Sequence, residues 1–147
     1  MFPKWSPFRY NQIIILEGEF SVKKLEHIGI MVKDMDESIK FYTEMLGMRL
    51  DRRVALNETV ELSFLAFPGQ ESVEIELIGG VYGDALSSDG IVNHVAFTVD
   101  DIEAEIARLV AAGVNMIDTT PRTILHGIKI AFFYGPNGEK LELFQHP

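Results

Sequence analysis

Two stretches of the chain repeat one another, which restricts the fold to two copies of one small unit. The first reads LEHIGIMVKDMDESIKFYTEMLG and runs on to VEIELIGG; the second reads VNHVAFTVDDIEAEIARLVAAG and runs on to EKLELFQHP. Each copy carries one histidine and one glutamate in matching places. His27 and His94 are 67 positions apart, and Glu76 and Glu142 are 66 apart. A duplicated unit that repeats an imidazole and a carboxylate at nearly one offset points to a four-donor metal site between the copies.

Composition narrows the classes. A chain of 147 residues has room for one good core. Its apolar runs fall short of membrane-spanning length. It contains no cysteine, which removes disulfides, thiolate ligands and cysteine nucleophiles together. That absence, with no secretory-type start, makes the cytoplasm the expected compartment. A formal charge of −9 argues against nucleic acid and against an anionic membrane surface as partners. Arg49, Arg52 and Arg53 form one local basic cluster, expected to be a solvated strand start.

Residues 1–21 belong to neither copy and are expected to be an N-terminal extension to a single domain over 22–147. Codons for Glu17-Gly18-Glu19 can spell a purine-rich ribosome-binding site, which makes Val22 a candidate start. From Lys24 to Val32 the chain alternates, with Ile28, Ile30 and Val32 opposite His27, Gly29 and Met31. Asp34 and Glu37 have the form of a helix capping box. Met35, Ile39, Tyr42 and Leu46 then mark one helix face, and Gly47 the stop. Strands are expected over Arg49–Ala55, Thr59–Phe67 and Ser72–Ile78, with a turn at Pro68-Gly69. The second copy repeats the order. It has a strand over Val92–Val99, a capping box at Asp100 and Glu103, and a helix stripe of Ile102, Ile106 and Leu109 ending at Gly113. Strands follow near Val114–Asp118, Ile128–Tyr134 and Lys140–Gln145. The fold expected is α+β: two tandem βαβββ modules, about 23–80 and 91–147, forming a curved mixed sheet around a metal cleft. Gly79 to Gly90 is the linker.

Strand parity says which side chains meet. Val73, Ile75 and Leu77 oppose Glu74, Glu76 and Ile78, while Leu141 and Leu143 oppose Lys140, Glu142 and Phe144. The apolar rows are expected on the helices, leaving the glutamates on the face shared by His27 and His94. Glu74 shares the face of Glu76 but stands about 7 Å away along the strand; the matched Ile-Glu-Leu and Leu-Glu-Leu frames select Glu76. The expected ligands are therefore His27, Glu76, His94 and Glu142. Two imidazoles and two carboxylates without sulfur suit a borderline divalent metal, Zn²⁺, Ni²⁺ or Co²⁺. Such a centre can hold two adjacent substrate oxygens and stabilise an enediolate or enolate as a Lewis acid, a reaction that then requires only a carboxylate base placed to remove a proton beside a carbonyl.

From about Lys23 to Pro147 the chain resembles the vicinal oxygen chelate superfamily, which includes glyoxalase I, methylmalonyl-CoA epimerase, extradiol dioxygenases and bleomycin-binding proteins. SIKFYTEMLGMRL is similar to the glyoxalase I helix, and GPNGEKLELF to its last hairpin. HIGIMVKDMDESIKFY, MIDTTPR and HGIKIAF are equally similar to the epimerase. Both families place metal ligands where His27, Glu76, His94 and Glu142 stand. The resemblance implies catalysis by Glu142 as base, with Glu76 as ligand and second proton carrier, on a small-molecule substrate. It also implies a homodimer, to which the apolar N-terminal segment adds surface.

The first expectation is thus a glyoxalase-I-like lyase acting on the hemithioacetal of a 2-oxoaldehyde and a thiol. Glutathione-using members carry Arg where Met31 stands and Asn where Gly80 stands, so this chain departs from them at the glutamyl end of the thiol. The second is a methylmalonyl-CoA epimerase-like isomerase, for which Glu58 is a weakly placed second base, expected instead as a loop glutamate. A metal-free drug-binding protein is a third, opposed by retention of all four donors. An iron dioxygenase fits less well, since it needs two histidines, one carboxylate and open positions. His126, in the 119–127 loop, is expected to be solvated, with a lid over the site as the alternative.

Overall fold

The computed structural model describes residues 21–80 and 90–147. The proposed extension, its candidate start signal and most of the linker lie outside the described residues. The first module runs β1 (Val22–Met31), α1 (Met35–Lys40), β2 (Arg49–Ala55), β3 (Glu61–Ala66) and β4 (Glu74–Gly79). The second runs β5 (Val92–Val99), α2 (Ile102–Ala111), β6 (Arg122–Ile124), β7 (Ile128–Tyr134) and β8 (Lys140–Gln145). One curled eight-stranded sheet holds them in the order β2-β3-β4-β1-β5-β8-β7-β6, a palindrome of the repeat. Within each module the first and last strands pair in parallel, β1 with β4 and β5 with β8; the modules meet where β1 and β5 pair antiparallel.

The strand parity read from the sequence is realised. Leu65 and Leu77 pack with Met35 on the α1 face, and Val99 and Leu143 pack with Ile102, Ile106 and Leu109 of α2. The opposite face of the first module carries Met31, Leu62, Phe64 and Ile78. Alternation thus separates a helix-covered layer from a face left open for chemistry.

Four local expectations are corrected. The first helix keeps α geometry only to Lys40 and continues as a π-turn over Phe41–Met45. Thr43 Oγ1 donates to the carbonyl of Ile39 at 2.9 Å, competing for the acceptors an α-helix needs. Under-winding carries Leu46 off the buried stripe to 47 % exposure. The second helix is capped by Asp101, not Asp100: its Oδ1 accepts from Ala104 N at 2.9 Å, while Asp100 pairs with Lys23. The Val114–Asp118 segment forms only a bridge between Met116 and Phe133, and the edge strand is Arg122–Ile124 instead. Asp118 causes this, because its carboxylate accepts from Phe132 N at 2.9 Å and ends the ladder there. The strands placed at Thr59–Phe67 and Ser72–Ile78 narrow to Glu61–Ala66 and Glu74–Gly79. Asn57 Oδ1 takes the backbone N–H groups of Thr59 and Val60, holding that segment in a turn.

Candidate metal centre

Each module supplies one histidine from its first strand and one glutamate from its last. Register makes the two halves alike: Gly29 stands beside Glu76 and Ala96 beside Glu142, each two residues after its histidine. Because β1 and β5 are antiparallel neighbours, His27 and His94 reach the junction from opposite directions. The four side chains are brought together within this one chain.

The four meet closely. His27 Nε2 lies 3.0 Å from His94 Nε2, 3.2 Å from Glu76 Oε2 and 3.1 Å from Glu142 Oε2. His94 Nε2 lies 3.4 Å from Glu76 Oε2 and 3.0 Å from Glu142 Oε2. All four residues are buried. Donor atoms of His27, Glu76 and His94 fall within 4.8 Å of one another, a group able to hold a metal ion.

Electrostatics make the cluster demand positive charge. Burial disfavours the charged imidazoles, but the Glu142 and Glu76 carboxylates outweigh it and hold His27 up at about 10 and His94 above its ordinary value. Burial also opposes ionised Glu76, yet the two imidazoles draw its carboxyl down to about 2. Two buried carboxylates need either imidazole protons or a cation between them. The donor set suits a cation, because Glu142 Oε2 is buried 3.1 and 3.0 Å from the two imidazole Nε2 atoms, so one cation there would meet both carboxylates at once. His94 Nδ1 donates to Asn93 Oδ1 at 3.0 Å, so the proton that a metal would displace is the one on Nε2, which faces the cluster.

Three supporting features escaped the sequence reading. Gly29 makes room for a ring, since a Cβ there would lie 2.4 Å from His94 Cε1. The visible trace is His-x-Gly and His-x-Ala, a small residue at the same place in both copies. Phe64 and Phe132 stand across from Glu76 and Glu142 and meet His27 and His94 edge-on, with centroids 6.3 and 5.3 Å away. Glu26 is buried beside His27, where Thr98 and His146 bind its carboxylate.

The remaining candidates separate. Glu74 stays on the face of Glu76 and is engaged by Arg52, whose side chain remains 47 % exposed, as expected of a solvated strand start; Arg49 and Arg53 likewise form surface pairs, with Asp51 and with Glu61 and Asp36. Glu58 is exposed in the turn before β3. Met31 is buried among Val60, Leu62, Phe64 and Ile78. Gly80 has φ +120°, and a Cβ there would lie 1.8 Å from the Thr59 carbonyl oxygen, so that position excludes any side chain. His126 is exposed and lines the cleft mouth, in a turn whose Leu125 reaches the apolar face of the first module.

The chain is 42% identical over 124 residues to the uncharacterized protein YwbC of Bacillus subtilis (strain 168), covering 84% of this chain and 98% of that one. It is 34% identical over 122 residues to a lactoylglutathione lyase of Haemophilus influenzae, covering 82% and 90%. Among solved structures it is similar to methylmalonyl-CoA epimerase from Mycobacterium tuberculosis, with TM-score 0.70, 25% identity and coverage of 86% and 90%. The sequence profile of the Glyoxalase/Bleomycin resistance protein/Dioxygenase superfamily matches residues 24–143. Both histidines and both glutamates of the repeat lie within that match, and the chain belongs to this superfamily.

Proposed function

We propose that the chain is a metal-dependent, glyoxalase-I-like lyase that isomerises the hemithioacetal of a 2-oxoaldehyde and a thiol. His27, Glu76, His94 and Glu142 hold a divalent cation, Zn²⁺, Ni²⁺ or Co²⁺. The observation that carries this reading is the convergence of two buried Nε2 atoms and two buried carboxylate oxygens, each Nε2 lying within 3.4 Å of both oxygens. When bound, the cation supplies positive charge beside two adjacent substrate oxygens.

Glu142 is the base. It takes the proton from the thiol-bearing carbon and returns it to the neighbouring carbonyl carbon, while the hydroxyl proton passes between the two oxygens; Glu76 serves as second carrier. The product is a 2-hydroxy thioester with the same atoms as the hemithioacetal. Leu141 and Leu143 flank Glu142 on β8, and Leu143 is sealed against α2, which keeps the carboxylate in place.

The reading leaves the thiol unassigned, because Met31 and Gly80 offer no polar side chain to the glutamyl end of glutathione. A methylmalonyl-CoA epimerase-like isomerase is the second reading, favoured by the similarity to solved epimerases. The compartment proposed is the cytoplasm, in keeping with the absence of cysteine; among the described residues no helix is long and apolar enough to cross a membrane. A homodimer is proposed because Phe41, Met45, Leu46 and Leu50 stand exposed on the π-turn and neighbouring β2.

Metal analysis of the purified chain, followed by turnover of methylglyoxal with a panel of thiols beside epimerisation of methylmalonyl-CoA, tests the proposal. Thioester formation in the metal-loaded protein is expected. Epimerisation without it would move the assignment to the second reading, and inactivity on both would end the isomerase proposal.

A further inference from the structure

The cleft beside the four-residue cluster has a volume of about 350 Å³ and meets the cluster at Glu76. Its walls are largely apolar: Val54, Leu62 and Phe64 from the first module, Leu125, Ile128 and Phe144 from the second. Arg52 carries the only permanent positive charge among the described residues that line it. A guanidinium in such a place would ordinarily select a carboxylate or phosphate, which it binds with two parallel hydrogen bonds.

That capacity is already used. Arg52 donates from Nη1 to Glu74 Oε1 at 2.9 Å and from Nη2 to Glu74 Oε2 at 2.8 Å. Glu74 is only 8 % exposed, and the guanidinium carbon lies 3.9 Å above the Phe64 ring, which in turn meets His27 edge-on. Salt bridge and ring together fix the arginine in a neutral pair one aromatic ring away from the cluster. Glu74 is the glutamate that the repeat frame passes over, so a role in specificity gives it a purpose apart from metal binding.

We propose that Glu74 determines specificity: by neutralising Arg52 it makes the cleft accept an uncharged, apolar substituent and reject an anionic one. The substrate class is then a 2-oxoaldehyde adduct whose side group and thiol are both uncharged and apolar beyond the two chelating oxygens. The proposal rests on the cleft being the substrate site, as the function proposed above requires.

The test is titration calorimetry on the full chain, as isolated and after chelator treatment, with 2-naphthalenemethanol and 2-naphthoate at about pH 8, where the carboxylate is ionised. Wild type is expected to bind the alcohol about tenfold or more tightly than the anion. Glu74→Gln releases the guanidinium and should shift the ratio toward naphthoate by about tenfold or more, the effect of one new charge-assisted pair. Arg52→Gln leaves Glu74 uncompensated and should shift it the other way, so a misfolded Glu74 variant does not remove the test. An unchanged ratio in both variants overturns the proposal, as does a wild type that binds neither probe. These probes need neither metal nor turnover. A naphthyl-selective but inactive protein would sink the lyase reading alone, whereas an active protein with an unshifted ratio would sink this one.

Discussion

Replacing Gly29 with Ala adds one methyl group at the point where the two modules meet, and its effect on the cluster can be worked from the geometry. The new Cβ would lie 2.4 Å from His94 Cε1, 2.7 Å from Nδ1 and 2.9 Å from Nε2, where ordinary contact begins at 3.4 Å. The ring must therefore retreat by about 1 Å, the difference between the first and last of those distances. Gly29 itself cannot give way, being paired to Glu76 on one side and His94 on the other in the middle of the sheet. Behind the ring stands Phe132, edge-on at a centroid distance of 5.3 Å. His94 Nε2 is thus driven from its place 3.0 Å from both Glu142 Oε2 and His27 Nε2. Metal–ligand bonds tolerate only about 0.2 Å of error. We expect metal affinity to fall about 100-fold, with a stability loss of about 1–3 kcal/mol from overpacking. Calorimetric titration of the chelated protein with Zn²⁺ and Ni²⁺, alongside thermal unfolding, reads both quantities. Gly79→Ala, whose Cβ meets the flexible end of Met35 at 3.1 Å, is the control and should leave affinity unchanged. If Gly29→Ala binds metal as wild type does, the ring is not held where the argument places it, and the cluster is not the metal site.

His94→Ala should sharply lower the divalent metal recovered with the purified protein; wild-type stoichiometry, measured by elemental analysis, would remove it from the ligand set. Glu142→Gln should abolish turnover while the other three donors retain part of the metal, and a near-normal kcat would pass the base role to Glu76. In the metal-free protein His27 is raised from 6.5 to about 10, so its contribution to stability is complete below about pH 6.5 and lost as pH rises through 10. Glu76 is lowered from 4.5 to about 2, so its contribution is complete above about pH 4.5 and lost as pH falls through 2. The cluster should stabilise the metal-free fold most between those inner limits, and a Tm that climbs from neutral toward alkaline pH only when metal is present would agree. Metal binding must displace the imidazole protons, so apparent affinity should rise by about one to two decades per pH unit near neutrality; a flat profile would argue against ligation by the histidines. Light scattering at micromolar concentration should give a dimer, and a monomer would refute that part of the proposal.

Duplication, strand parity and the two helix stripes are local properties, and for that reason the βαβββ order could be read from the chain alone. Alternation alone places His27, Glu76, His94 and Glu142 on the face opposite the helices, because a strand turns its side chains by half a revolution per residue whatever its neighbours. Local reading stopped where contacts made elsewhere in the chain decided the outcome. Asp100 and Asp101 both suit a cap, and only the pairing of Asp100 with Lys23 and the docking of Ile102 N on the Gln145 side chain decide between them. Val114–Asp118 has the composition of a strand, but a carboxylate arriving at Phe132 N ends its ladder.

The site divides the same way. The residue types and their offsets are in the sequence, and so is the preference for Glu76 over Glu74. What occupies Glu74 is not, because Arg52 reaches it across β3 from the far edge of the module, and pairing at that distance is set by sheet order and register. Nor does the sequence state why Gly29 is glycine: its backbone is ordinary, and the reason is a ring from the other module, which exists beside it only after β1 and β5 have paired. Chemistry-bearing residues announce themselves through type and period. The space and charge that tune them depend on which strands become neighbours, and that is decided by the packing of the whole sheet.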